Sequence, residues 1–243
     1  MRAVRVDGVF IGKAEVILPG LRSAINKQPV RGRIWLHCEG LAEDEQADTR
    51  FHGGPERALH HYPREHYPTW RRRYPQRAWR APGFGENLSS LGLLESQVCI
   101  GDIFRWGGAL LQVSQPRSPC YRLGQHKDLA ELPLIVQNSG RCGWFYRVLR
   151  EGAVSSDDPL ELVQRSYPGL SVARAIRSFF HFPLERAGLH QLVACAALSE
   201  RWRQAAAARL ASDQVEDWSV RLQGRPAPLP LQADAAVREI GHA

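Results

Sequence analysis

With 243 residues, 44% of them apolar and 23% charged, the chain is long enough to bury a full core and too apolar for general disorder. No stretch approaches the roughly 20 apolar residues that span a bilayer, and the opening MRAVRVDGVFIGKAEVILPG lacks the apolar run of a secretory leader, so the cytosol is the expected compartment. The formal charge of +7 is nearly all arginine, spread without a basic tail; it suits nucleic acid, an acidic membrane surface or a small anionic ligand, and the distribution decides little beyond making nucleic acid an unfavoured reading.

Up to about residue 165, short apolar runs recur between glycine, proline and charged breaks: VRVDGVFIG, GRIWLHCEG, SQVCIGDIFRWGG and ALLQVSQP. Their spacing predicts an antiparallel sheet that curls or closes into a barrel. REHYPTWRRRY and LAELPLIVQ carry apolar residues nearer helical spacing and are expected to cover the barrel openings. After LELVQRSYPGL the texture changes. SVARAIRSFF, LHQLVACAAL and SERWRQAAAARLA all repeat at three and four, with Ser171 and Ser199 as expected N-caps of the first and third helices. The predicted organisation is a mainly β domain over 1–167, a small three-helix module over 168–224, and a proline-rich flexible tail over 225–243.

Four segments carry residues suited to chemistry. The first, GLAEDEQADTRFHGGPERALHHYP, crowds acids, His52, a Gly-Gly-Pro turn and Arg57 between strands. Gly53 and Gly54 permit positive φ, and the amides of such a turn can form an anion-binding nest. His60, His61 and His66 lack any metal-ligand spacing and read as surface or hydrogen-bonding histidines, with His52 the one expected to matter. The second, APGFGENLSSLGL, sets Gly85, Glu86 and Asn87 in a loop that offers amide and carboxylate groups to a heterocycle, or forms a plain turn.

The third segment, QVSQPRSPCYRLG, places Cys120 directly after a strand whose end is stiffened by Pro116 and Pro119. Arg117 beside it favours a thiolate and suits a phosphate. The five cysteines, Cys38, Cys99, Cys120, Cys142 and Cys195, show no paired framework and are expected to be reduced thiols. The fourth segment, QNSGRCGWFYRVLREG, combines Asn138, Arg141 and Arg147 with three aromatics that read more naturally as core than as a ligand platform.

Taken together, SAINK at 23–27, EDEQAD at 43–48, HGGPERAL at 52–59, HYPREHY at 61–67, FGENL at 84–88, GDIFRWG at 101–107 and QVSQPRSPCY at 112–121 resemble the MOSC family, and its YiiM-like branch in particular. The resemblance runs over roughly residues 1–222. It implies a MOSC-type β-barrel that binds molybdenum cofactor, with Cys120 as the thiolate on the metal. Lys27, His52, Gly53, Gly54, Arg57, Asn87, Arg117, Ser118, Asn138 and Arg141 are the expected cofactor-binding set, and Glu86 or Asp102 the expected proton relay. The implied activity is reduction of N-hydroxylated compounds such as hydroxylaminopurines. The chain carries no Cys-rich cluster run and no dinucleotide fingerprint, so the electrons are expected from a separate flavin or iron–sulfur reductase, with the helical module as its docking face or as a dimer contact. The alternatives are a sulfur (persulfide) or cofactor carrier centred on Cys120, and a non-catalytic binding module.

Overall fold

The structure, a computed structural model, describes residues 3–19, 21–47 and 53–225. In chain order it forms β1 (Ala3–Val4), β2 (Val6–Ile11), β3 (Glu15–Leu18), β4 (Leu21–Ser23), β5 (Gln28–Pro29), β6 (Ile34–His37), β7 (Gly40–Leu41) and β8 (Leu59–Pro63). Then come α1 (Tyr67–Arg73), β9 (Leu88–Ser90), β10 (Ile103–Trp106), β11 (Ala109–Pro116), α2 (Tyr121–His126), α3 (Leu132–Ser139), β12 (Trp144–Arg150), β13 (Gly152–Val154) and β14 (Leu160–Gln164). The helical end comprises α4 (Val172–Ile176), which widens into a π-turn at Arg177–His181, then α5 (Arg186–Ala194), α6 (Glu200–Ser212) and α7 (Ser219–Gln223).

The main sheet runs β1-β14-β10-β11-β12-β8-β9-β2-β5. Every pair is antiparallel except β8 with β9. A single residue, Arg5, links β1 at one edge to β2 next to the other edge, so the sheet has to curl until its edges approach. No ladder among the described residues joins those edges. Of the two expected forms, a curled sheet or a closed barrel, the described residues form the curled, open one, since β1 is only two residues long and leaves almost no backbone to pair.

Alternation along β11 and β12 fills the interior. Leu111 and Val113 from β11 and Trp144 and Tyr146 from β12 are fully buried, joined by Phe104 and Trp106 from β10. Outside, α1 packs Trp70 onto a ring cluster in which Tyr62 and Phe84 stack at 4.1 Å. The expected helices are present at α1, α3, α4, α5 and α6, while α7 and the strand character of WFYRVLR had no clear signal. Beyond the sheet, Phe179 and Trp202 lie 4.0 Å apart between ring centroids and form the heart of the helical module. The proline-rich segment after residue 225 lies outside the described residues.

Candidate active site around Cys120

The long central strand β11 delivers the cysteine. It stays paired with β12 through Pro116 opposite Trp144, and the Arg117 N–H then donates to the Gly143 carbonyl at 3.1 Å. Gly143 sits at φ +69°, and any Cβ there would come within 2.2 Å of the His61 carbonyl, so only glycine lets β8 pass this close to the strand end. Pro119 and extended backbone at Cys120 (φ −129°, ψ 162°) then start α2. Cys120 is partly exposed. Cys99, Cys142 and Cys195 are buried, and burial pushes each of these three thiols up, which makes them poor nucleophiles or ligands. Cys38 is exposed in the β6–β7 turn, far from any proline-stiffened strand end.

Cys120 lies where two cavities meet. The smaller, about 120 Å³, is lined by Lys27, Arg57, His60, Asn87, Arg117 and Arg122 among others. Asp44 organises one wall: it takes the Lys27 ammonium in a short ion pair and accepts from the Gly12 N–H and the Asn87 amide, both at 2.7 Å. Asn87 in turn donates to the Phe10 carbonyl and accepts from the His60 N–H, so one side chain ties three segments together. Burial, with the Arg117 guanidinium adding to it, holds His60 well below the usual histidine range. It is a neutral imidazole. His60 Nε2 and Arg117 Nη1 are buried without a hydrogen-bond partner among the described residues, and both residues line this cavity. Such orphaned groups are costly unless a ligand meets them.

The expected set therefore divides. Lys27, Arg57, Asn87, Arg117 and Cys120 converge on the smaller cavity, and Ser118 joins Arg57, Arg117 and Cys120 on the larger one. Glu86 and Asp102 line neither. Gly85 and Asn87 face the cavity, while Glu86, between them, turns into the core to accept from the Tyr67 hydroxyl and the Phe84 N–H, and burial raises it to about 7. Asp102 is fully buried, accepts from the Cys99 N–H, and pairs with Arg165 at 2.6 Å. Both acids brace backbone rather than face Cys120.

Gly53 and Gly54 also line neither cavity. Gly54, at φ +90° with open space where a Cβ would be, begins the 3-10 turn Pro55–Arg57 that carries Arg57 inward. Asn138, exposed on α3 because that helix buries its opposite face through Leu132 and Val136, and Arg141, partly buried just past the helix end, line neither cavity. His52 lies outside the described residues. Of the three histidines read as surface or hydrogen-bonding, none is at the surface and two are hydrogen-bonding: His61 bonds Tyr146 and Ser90, and His66 pairs with Glu95 at 2.8 Å. Asp44, Arg122 and Phe145 belong to the site without having been expected there, and His60, read as a surface or hydrogen-bonding histidine, joins them. The alternation that sends Phe145 to the face opposite Trp144 and Tyr146 becomes legible only once WFYRVLR is known to be a strand.

The MOSC domain family matches residues 48–161, and the YiiM-like, 3-alpha helix domain matches residues 170–213. Protein YiiM of Escherichia coli (strain K12) is 48% identical over 219 residues, which are 89% of this chain and 97% of that protein. The chain belongs to the YiiM-like MOSC family. The crystal structure of YiiM from Escherichia coli superposes on this MOSC protein with a TM-score of 0.80 at 42% identity, covering 92% of this chain and all of that one. A Gibberella moniliformis (strain M3125 / FGSC 7600) protein named Reductase is 38% identical over 164 residues, 65% of this chain and 29% of that longer protein. MOSC domains are associated with molybdenum cofactor binding.

Proposed function

We propose that this MOSC protein is a molybdenum-cofactor-dependent reductase of N-hydroxylated compounds, with Cys120 as the protein ligand to the metal. The observation that carries the reading is the placement of Cys120. It is a partly exposed thiol on a proline-stiffened strand end, set between cavities ringed by arginine. A soft thiolate suits molybdenum. The residues fit the group in a second respect: His60 Nε2 and Arg117 Nη1 are buried orphans beside a cationic wall, as an anionic, heteroatom-rich ligand would require.

In this reading Arg57, Arg117 and Lys27 hold the terminal phosphate, and neutral His60 offers a ring nitrogen to the pterin without adding charge. The Arg221 guanidinium interacts electrostatically with Cys120 and, though lowered by burial to about 10, stays charged at neutral pH. When bound, the cofactor supplies two-electron chemistry in which the N–O bond is cleaved and, with two protons and two electrons taken up, an amine and water leave. Glu86 and Asp102 turn away from Cys120, so in this reading the protons come from solvent rather than from either acid. The electrons are assigned to a separate flavin or iron–sulfur reductase, and the compartment to the cytosol. The Gibberella protein's name points to the same reaction class.

The test is molybdenum and pterin content of wild type and Cys120→Ala, both produced in cells that make the cofactor, followed by hydroxylaminopurine reduction with an artificial electron donor. Wild type is expected to carry molybdenum and turn over, and the variant to lose at least about 100-fold in rate, a loss of about 2.7 kcal/mol in transition-state stabilisation. Wild type that never acquires molybdenum or pterin overturns the reading, and a persulfide on Cys120 in that metal-free protein would replace it with sulfur transfer.

A further inference from the structure

The strand end and loop that lead to Cys120 are short of donors, because Pro116 and Pro119 carry no N–H. A local turn or ladder is interrupted there, and a fixed position has to come from elsewhere. For the carbonyl just before the cysteine it comes from 102 positions further along the chain: the Arg221 guanidinium on α7 donates to the Pro119 carbonyl at 2.6 Å.

The same guanidinium donates to Gln137 Oε1 of α3 at 2.7 Å. Gln137 is buried, and its own carbonyl accepts from the His181 ring N–H at 3.1 Å, so a second residue of the helical module steadies the group that orients Arg221. The Phe180 and Trp218 ring centroids lie 5.3 and 5.7 Å from the guanidinium carbon. Arg221 is partly buried, and both of its acceptors are neutral, where a carboxylate would stabilise it more. The arrangement gains more in geometry than in stability, since a planar fork on two fixed acceptors has one orientation.

The residue after the cysteine is also met by α7. The helix ends at Gly224 in the left-handed region (φ +77°), and a Cβ there would come within 2.9 Å of the Tyr121 ring. Pro119 and Tyr121 are the two neighbours of Cys120 in the chain. One short helix at the far end of the described residues therefore holds the backbone on both sides of the sulfur.

We propose that α7 is a bracket for Cys120, with Arg221 as the positioning residue that fixes the loop so that the sulfur stays where the two cavities meet. The proposal deepens the reductase reading and rests on it only for what the sulfur holds; the bracket itself requires no bound group.

The experiment is hydrogen exchange read by mass spectrometry on the full chain, for wild type, Arg221→Met and Arg221→Lys, with molybdenum content measured on the same proteins after production in cells that make the cofactor. Because Arg221→Met leaves Gln137 Oε1 without its donor, the double variant Arg221→Met with Gln137→Met is included, which removes both partners. In Arg221→Met and in the double variant, amides at 120–124 are expected to exchange about tenfold faster while those of β10 and α6 stay within about twofold, and molybdenum content to fall about threefold. Arg221→Lys, which can reach one of the two acceptors, recovers part of both losses. Exchange unchanged at 120–124, or raised equally through α5 and α6, overturns the proposal, the latter by making Arg221 a general fastening of the module. Faster exchange with molybdenum fully retained overturns it as well, since the sulfur would then be placed without α7. Wild type that never acquires molybdenum while exchange still responds keeps the bracket and sinks the reductase reading.

Discussion

Asp44 shows how much of this site depends on a residue that touches no catalytic atom. Its carboxylate and the Lys27 ammonium are 2% and 7% exposed, so neither charge can be left alone without a large desolvation cost. Asp44→Ala should lower stability by about 3–5 kcal/mol, the usual cost of stripping one partner from a buried pair. Adding Lys27→Met should recover only the charge part of it, because the Gly12 N–H and the Asn87 amide stay without their acceptor. Denaturant unfolding of the two variants measures both, and a loss under about 1 kcal/mol for Asp44→Ala would contradict the buried-pair account. Glu86 makes the opposite kind of prediction. Burial raises its carboxyl to about 7 from an ordinary 4.5, so between those values the folded chain keeps a proton that the unfolded chain has released. Stability from this group is therefore lost as pH rises through that window. Glu86→Gln removes the effect while keeping an acceptor for the Phe84 N–H. The stability of the variant relative to wild type should increase by roughly 2–3 kcal/mol from pH 5 to pH 8, and a difference independent of pH would show that Glu86 is already ionised in the fold.

At the scale of elements, two serines predicted to do the same thing do different things. Ser171 caps α4 as expected, its hydroxyl accepting from the Arg174 N–H at 3.1 Å. Ser199 stands at the cap position of α6, but its hydroxyl makes no cap bond, and its N–H donates to the Ser114 carbonyl of β11 at 2.9 Å. The helix start is anchored to the sheet instead. Ser171→Ala should cost about 1 kcal/mol, and Ser199→Ala should stay within about 0.5 kcal/mol, both read by thermal or denaturant melting. Helical spacing at three and four made α5 and α6 legible, and the proline-bounded run after Gly108 made β11 legible. The short α7 was not, since five residues give too little period to read. Its position matters all the same, because Arg221 on it reaches the loop of Cys120.

For the whole molecule, burial of histidines sets the response to acid. His61 and His126 are lowered by burial to about 3 and about 4, and His60 is held well below its ordinary value. The unfolded chain protonates all three near pH 6.5, so their stability contribution is present above that value and is lost as pH falls. Three histidines outweigh Glu86, and the melting temperature should fall between pH 7 and pH 5, with about two protons taken up on unfolding near pH 5. A melting temperature that rises over that interval would mean the histidines charge without penalty. What the sequence determined alone was local: strand and helix periods, a proline-stiffened turn that presents Cys120, the lack of a bilayer-spanning run, and the family likeness held in contiguous motifs. What only the tertiary structure decided was convergence and facing. The same FGENL loop turns Gly85 and Asn87 to the cavity and Glu86 to the core, and the curl of the open sheet brings residues from Lys27 to Arg221 around one sulfur. Strand phase and sheet order are long-range choices, in which a slip of one residue exchanges every inward side chain for its outward neighbour, and no short stretch of sequence contains them.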